Sequence, residues 1–253
     1  MATDVADLRA RAERLRELHR GDMLVLPNVW DAGSAKVVAE AGFPAVATAS
    51  ASVSAMLGHP DGEGAPWQEM FAAAGRVARA VTVPVTVDAE AGYGMKPAEL
   101  VSRLLETGAV GCNLEDSDHR AGGLVDAGAQ AEWLAGVRLA ADDAGVPLVI
   151  NARVDAFLPA GGVPEADRVA EAVRRGLLYL AAGADCVYPI GMRERDQVAA
   201  LVAGLPGPVN ANPGGPLDLA TLRELGVARV SYGPRFYRAA LAALKTAVEE
   251  LPV

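Results

Sequence analysis

The chain has 253 residues, 51% of them hydrophobic and 5% aromatic, with Ala, Val and Leu supplying most of the apolar bulk. That mixture suits helices and buried strands, and a chain of this length buries a large core, so one domain over 1–253 is expected. A formal net charge of −9 argues against nucleic acid as a partner, because no basic patch exists to release phosphate counterions. No apolar run approaches the roughly 20 residues of a membrane span, so a membrane partner is not expected.

The stretch Met1–Arg20 alternates acidic and basic residues around Leu and Ala. It has neither the apolar core of a signal peptide nor the acid-poor bias of a transit peptide, and a cytoplasmic location is expected. Cys112 and Cys186 each sit in a run that reads as a buried strand, with no CxxC spacing and no His neighbour. Both are read as reduced and inert.

Along the chain, short apolar runs alternate with polar loops and amphipathic stretches, the pattern of βα units feeding a parallel sheet. A leading helix runs to about Leu18, strand one covers Leu24–Val29, and a helix covers Ala32–Ala41. Strand two is Ala45–Thr48; a Gly/Pro-rich loop, Gly58–Pro66, precedes a helix over Trp67–Ala80. Strand three is Val85–Asp88, and the helix after it opens at Lys96-Pro97, where proline suits the first turn. Strand four is Gly111–Glu115, the longer segment Asp116–Gly128 follows, and a helix covers Gln130–Ala144. Strands five to eight are Leu148–Arg153, Asp185–Tyr188, Val209 with its neighbours, and Arg229–Tyr232. A last helix spans Pro234–Leu251. Helix-to-strand junctions repeat a glycine (Gly42, Gly108, Gly145, Gly183, Gly226), which ends helices in the left-handed conformation. The expected fold is a single (β/α)8 TIM barrel with an extra N-terminal helix.

Polar residues gather at the C-terminal strand ends, where active sites of this fold lie. Residues two apart on a strand face one side, which pairs Asp88 with Glu90, Asn113 with Glu115, and Asn151 with Arg153. Converging carboxylates repel and are costly to desolvate without a cation. A hard divalent metal, Mg²⁺ or Mn²⁺, resolves the conflict, held by one or two carboxylates plus waters and substrate oxygens. Arg153 would then pair with a substrate carboxylate bidentately. The lysines, Lys36, Lys96 and Lys245, all fall on helices or their starts, which disfavours a Schiff-base aldolase.

Five runs carry a resemblance: Pro27-Asn28-Val29-Trp30-Asp31-Ala32, Val87-Asp88-Ala89-Glu90-Ala91-Gly92-Tyr93-Gly94, Asn113-Leu114-Glu115-Asp116, Asn151-Ala152-Arg153-Val154-Asp155-Ala156, and Gly226 to Pro234. In this order, over nearly the whole chain, they resemble the isocitrate lyase/phosphoenolpyruvate mutase superfamily. The resemblance implies a Mg²⁺-dependent barrel, commonly a dimer of dimers, acting on 2-oxo or 2-hydroxy carboxylates. It implies Asp88 as the direct metal ligand, with Glu90 and Glu115 holding metal-bound waters and Asp61 a further acid near the metal. It implies that backbone N–H groups of Ser50 and Ala51 bind a substrate oxygen, that Trp30 and Asp31 form a pocket wall, and that Arg153 and Asn212 contact substrate. It also implies exchange of the last helix between subunits of a homodimer or homotetramer, an assembly that the apolar face of Phe236, Ala240, Leu241, Leu244 and Val248 fits as well as it fits packing on its own barrel.

The departures are equally specific. The loop Asp116-Ser117-Asp118-His119-Arg120-Ala121-Gly122-Gly123-Leu124 is shorter than the lyases' gating loop and lacks its Cys, and it lacks the Lys and Asn of the mutases. His119 is the substitute, since imidazole titrates near working pH and the neighbouring glycines permit a moving lid; His59 is a second candidate near the mouth. The expected reaction is carbon–carbon cleavage or decarboxylation through an enolate, with Arg153, Glu115 and His119 as its catalytic groups. Phosphonopyruvate-type P–C chemistry and a non-catalytic oxo-acid-binding barrel are the alternatives.

Overall fold

A computed structural model describes residues 4–252; Met1–Thr3 and Val253, which belong to the N-terminal reading and to the 1–253 span, lie outside the described residues. Helix α1 (Val5–Leu18) starts at Asp4, whose carboxylate caps Ala6 N. The strand expected over Leu24–Val29 is split into β1 (Leu24–Leu26) and β2 (Asn28–Val29). Pro27 has no N–H to donate to a ladder, so the pairing changes partner there. Helix α2 (Ala32–Glu40) begins in a capping box between Asp31 and Ser34. Strand β3 (Val46–Thr48) leads directly into α3 (Ser50–Leu57), an element that hydrophobic periodicity does not announce. Its buried face includes Ser52 and Ser54, and serine favours caps and turns over helix interiors.

The rest follows the expected alternation: α4 (Trp67–Ala80), β4 (Val85–Asp88), α5 (Pro97–Thr107), β5 (Gly111–Glu115), α6 (Ala127–Asp143), β6 (Val149–Val154), α7 (Arg168–Ala181), β7 (Cys186–Pro189), α8 (Arg195–Gly204), β8 (Asn210–Ala211), α9 (Leu219–Glu224), β9 (Arg229–Ser231) and α10 (Arg235–Glu249). Helix α5 opens with Pro97 and closes on Gly108 at φ +88°, a backbone region that glycine enters freely.

The strands form a parallel α/β structure. One sheet has the order β2-β3-β4-β5-β6-β7 and the other β1-β9-β8. The sheets are joined through Pro27 on one border, and on the other by a parallel bridge between Val187 of β7 and Val209. Helix α1 lies across the N-terminal ends of the strands, with Leu8, Ala12 and Leu15 packed against Leu24, Leu26, Val110 and Val149. A Cβ on Gly111 would come within 2.8 Å of Leu15 Cδ2, so this end is sealed.

Helix α10 behaves differently. No residue in it is buried, and Leu241, Leu244 and Val248 are 46%, 59% and 54% exposed. Its apolar face is therefore left largely uncovered by the other described residues. No helix among the described residues is long and apolar enough to cross a membrane.

Candidate active site

Three neighbouring strands bring the site together. Parallel pairing sets Asp88 of β4 beside Asn113 of β5, and Glu115 of β5 beside Arg153 of β6. The Asp88 N–H donates to Thr48 Oγ1 at 2.9 Å, and its Oδ2 accepts from Ser50 N at 2.9 Å. Ser50 opens α3, so this carboxylate sits at the positive end of a helix. The Ser50 N–H expected to face substrate thus serves Asp88. Ala51 follows in the first turn, where helices leave N–H groups without internal acceptors. Asp88 Oδ1 is buried and has no hydrogen-bond partner among the described residues.

Glu90 is buried and held on both oxygens. Oε2 accepts from Glu63 N, Oε1 accepts from Tyr93 Oη at 2.7 Å, and Tyr93 N in turn donates to Glu63 Oε1 at 2.5 Å. Among the described residues, Glu63, Glu90 and Tyr93 are the non-glycine residues with positive φ, at 57°, 51° and 56°. All three lie in this one clasp, and side chains adopt such backbone only where surrounding contacts enforce it. Burial pushes the Glu90 carboxyl above its ordinary range, against the hydrogen bonds from Glu63 and Tyr93. Asp61 is exposed but near enough to add to that upward push.

Glu115 lies between a base and a cation. Its Oε1 is 2.5 Å from His119 Nε2, and its Oε2 is 2.5 Å from Arg153 Nη1, an ion pair without the alignment of a hydrogen bond. Burial raises the Glu115 carboxyl to about 7, with Arg153 and His119 opposing. The bond to Glu115 raises His119 in turn. His119 is not a free loop residue, since its ring lies against Gly62, where an added Cβ would meet Nδ1 at 3.3 Å. Its loop is folded by an antiparallel bridge between Ser117 and Leu124 and by Asp118 Oδ1, which accepts from Arg120 N and Ala121 N.

The Arg153 fork expected to face substrate is occupied by Asp155, at 2.6 Å from Nε and 2.9 Å from Nη2. Asp155 also accepts from Ser117 Oγ at 2.6 Å, and its N–H donates to Asp116 Oδ1 at 2.9 Å. Asp116, with no solvent exposure, takes Tyr179 Oη at 2.7 Å and Arg175 Nη1 at 3.1 Å on its other oxygen. Only the Nη1 edge of Arg153, already beside Glu115, is left outside the Asp155 clamp.

The remaining candidates have traceable places. Trp30 packs edge-on against Tyr237 with ring centroids 5.3 Å apart, whereas Asp31 caps α2. Asn212 Oδ1 accepts from Tyr188 Oη at 2.6 Å, and Asn212 Nδ2 donates to Ser231 O at 2.7 Å. His59 lies 3.6 Å from Glu69 Oε2, and His19 is buried at the sealed end against Leu15 O and Arg229. Lys36, Lys96 and Lys245 are exposed. Cys112 and Cys186 are buried thiols raised to about 12 by burial. The groups that sequence reading left without a role are Glu63, the Tyr93 hydroxyl, Ser117 and Asp155. Only Asp155 carried a signal, the two-residue spacing from Arg153.

The donor set can be tested against a cation. Among the described residues no group of three or more His, Cys, Asp or Glu side chains is arranged to enclose a metal. One buried carboxylate oxygen, Asp88 Oδ1, has no other partner. A closed cage of the zinc type does not fit; a Mg²⁺-like ion held by one carboxylate and completed by water does.

Parallel strands whose C-terminal ends gather carboxylates, an imidazole and a guanidinium define an α/β enzyme with its site on that face. A family model described as phosphoenolpyruvate phosphomutase matches residues 15–252. An uncharacterised protein of Mycobacterium tuberculosis H37Rv is 36% identical over 223 residues, covering 88% of this chain and 82% of its own length. An oxaloacetate decarboxylase of Bradyrhizobium sp. BTAi1 is 30% identical over 250 residues, 96% of this chain and 84% of the relative. A solved structure from Burkholderia cenocepacia J2315, provisionally assigned as a phosphonomutase, superposes with a TM-score of 0.89 at 44% identity, covering 95% of this chain and 99% of that one. The chain belongs to the phosphoenolpyruvate mutase family and is an enzyme of the isocitrate lyase/phosphoenolpyruvate mutase type.

Proposed function

We propose that the protein is a Mg²⁺- or Mn²⁺-dependent lyase that cleaves a carbon–carbon bond of a 2-oxo or 2-hydroxy dicarboxylate through an enolate, with oxaloacetate decarboxylation the first reaction to test. The observation that carries this reading is the unpartnered, buried Asp88 Oδ1 beside the Glu115–His119–Arg153 group. Asp88 would hold the ion and Glu90 and Glu115 its waters. When bound, the ion supplies Lewis-acid stabilisation of the oxygen on which enolate charge collects.

The chain's own residues do the rest. Ala51 N–H at the α3 terminus and Asn212 are donors for substrate oxygens, Trp30 and Asp61 border them, and Arg153 Nη1 supplies a cation for the substrate carboxylate. In decarboxylation the C3–C4 bond breaks, CO₂ leaves, and the electron pair moves onto C3 and the carbonyl oxygen. His119, sharing a proton with Glu115, then protonates C3 to give pyruvate. The named decarboxylase relative supports this choice, and the Burkholderia neighbour supports phosphonopyruvate as the second substrate class.

The same reading treats the chain as one domain over 1–253 and as a cytoplasmic protein. It treats the two sheets as one eight-stranded barrel, supported by the Pro27 and Val187–Val209 links. The uncovered face of α10 supports a homodimer or homotetramer in which a second copy covers that helix.

The test is pyruvate and CO₂ release from oxaloacetate, run beside a panel of 2-oxo and 2-hydroxy dicarboxylates and phosphonopyruvate. Activity is expected to disappear in EDTA, to return with Mg²⁺ or Mn²⁺, and to fall at least about 100-fold in Asp88→Asn with the fold retained. Full activity of that variant in metal-free buffer, or no turnover anywhere in the panel, overturns the reading.

A further inference from the structure

Below the carboxylates, the interior holds a polar layer that the mechanism above does not use. Arg229 is fully buried, with 0% exposure, and among the described residues no carboxylate lies within ion-pair distance of it. An unpaired buried guanidinium is costly to desolvate, so stability alone does not account for it. Its Nη2 donates to Asn113 Oδ1 at 3.1 Å, and Asn151 Nδ2 donates to the same oxygen at 2.8 Å. A guanidinium only donates, so the Asn113 carboxamide must present its oxygen downward, and its orientation is fixed by chemistry rather than by assignment of O and N.

The consequence concerns the other end of that amide. Among the described residues Asn113 Nδ2 has no hydrogen-bond partner, and it is not among the buried unpartnered atoms, although Asn113 as a residue is only 6% exposed. The N-terminal end of the strands is sealed by Leu15 against Gly111, so the opening that reaches Nδ2 is the C-terminal one. There Asn113 stands in register beside Asp88, whose Oδ1 is the unpartnered acceptor. We infer that the Asn113 amide is a substrate-binding donor at the floor of the site, aimed at an oxygen of the organic acid and locked in that direction by Arg229 and Asn151. This assignment rests on the oxo-acid reading above and names a residue that selects for an anionic oxygen deep in the site. The buried charge of Arg229 beneath it favours the same anion.

The probe is oxalate, titrated calorimetrically at saturating Mg²⁺ into the full-length protein, with thermal melting measured in parallel. Asn113→Asp keeps the acceptor for Arg229 and gives that guanidinium a carboxylate partner, but turns a second acceptor toward the ligand. It is expected to melt at or above the wild-type temperature while oxalate affinity falls about 10- to 100-fold. Asn113→Ser, which shortens the side chain so that its hydroxyl no longer reaches the ligand and adds no charge, is expected to lose about 10-fold and keeps the question open to refutation should the aspartate variant not fold. A purely structural role would lower melting and leave affinity alone. Wild-type affinity in both variants overturns the assignment of Asn113 by itself; a wild-type protein that binds no oxalate overturns the oxo-acid reading and this assignment with it.

Discussion

His119 illustrates how one side chain's role depends on its partner. An imidazole in a polar, glycine-containing loop has no chemistry of its own, but here Nε2 meets a buried carboxyl at 2.5 Å. Desolvation pushes Glu115 upward against Arg153 and His119, and the bond to Glu115 pushes His119 upward, so the pair keeps a proton at neutral pH that an isolated carboxylate would have lost. His119→Gln retains a hydrogen-bond donor to Glu115 but cannot cycle a proton. Turnover of the accepted oxo acid is expected to fall about 100- to 10,000-fold, with oxalate affinity within a few-fold of wild type by calorimetry. Unchanged kcat would move proton transfer to another group. Asp155 is the complementary case, since its grip on the Arg153 fork occupies the Nε and Nη2 donors and leaves one guanidinium edge beside Glu115.

Helices α1 and α10 both carry apolar residues at helical spacing, with opposite fates. In α1, Leu8, Ala12 and Leu15 recur at helical spacing and are buried over the strand ends. In α10, Leu241, Leu244 and Val248 have the same spacing and stay in solvent. Isolated exposed leucines are ordinary, but a continuous stripe along one helix is the kind of surface that the proposed second copy would cover. Beside its base, Phe236 joins Trp30, Val37 and Phe43 in lining an apolar groove. The double substitution Leu241→Glu with Leu244→Glu is expected to leave the subunit's circular dichroism intact and to convert the assembly to monomers in sedimentation velocity. A variant that sediments as wild type would place the subunit contact elsewhere.

One contribution to the pH dependence of stability is expected from the sealed end. His19 is lowered to about 4, first by burial and then by Arg229, against an ordinary value near 6.5. The unfolded chain therefore takes up this proton more readily than the folded one. Stability from this residue is complete above about pH 6.5, declines as pH falls, and is lost by about pH 4, a span of about 3 kcal/mol. Urea unfolding between pH 7.5 and 4 is expected to show that decline superposed on carboxylate protonation, and His19→Gln is expected to flatten its upper part. An identical pH profile for the variant would mean that His19 is protonated without penalty in the folded state.

Much of this was legible from residue order. The two-residue parity on β4, β5 and β6 put Asp88, Glu115 and Arg153 on one side, the junction glycines marked helix ends, and the quoted runs identified the family. These are short-range properties, set by backbone periodicity and by the conformations glycine and proline allow. Pairing across the molecule was not legible: Glu63 N reaches Glu90 from 27 residues away, and Arg229 reaches Asn113 from 116. Which oxygen meets which donor depends on register and on loops folded over the strand ends. Those contacts arise only when distant segments pack, and no local pattern of polar and apolar residues encodes them.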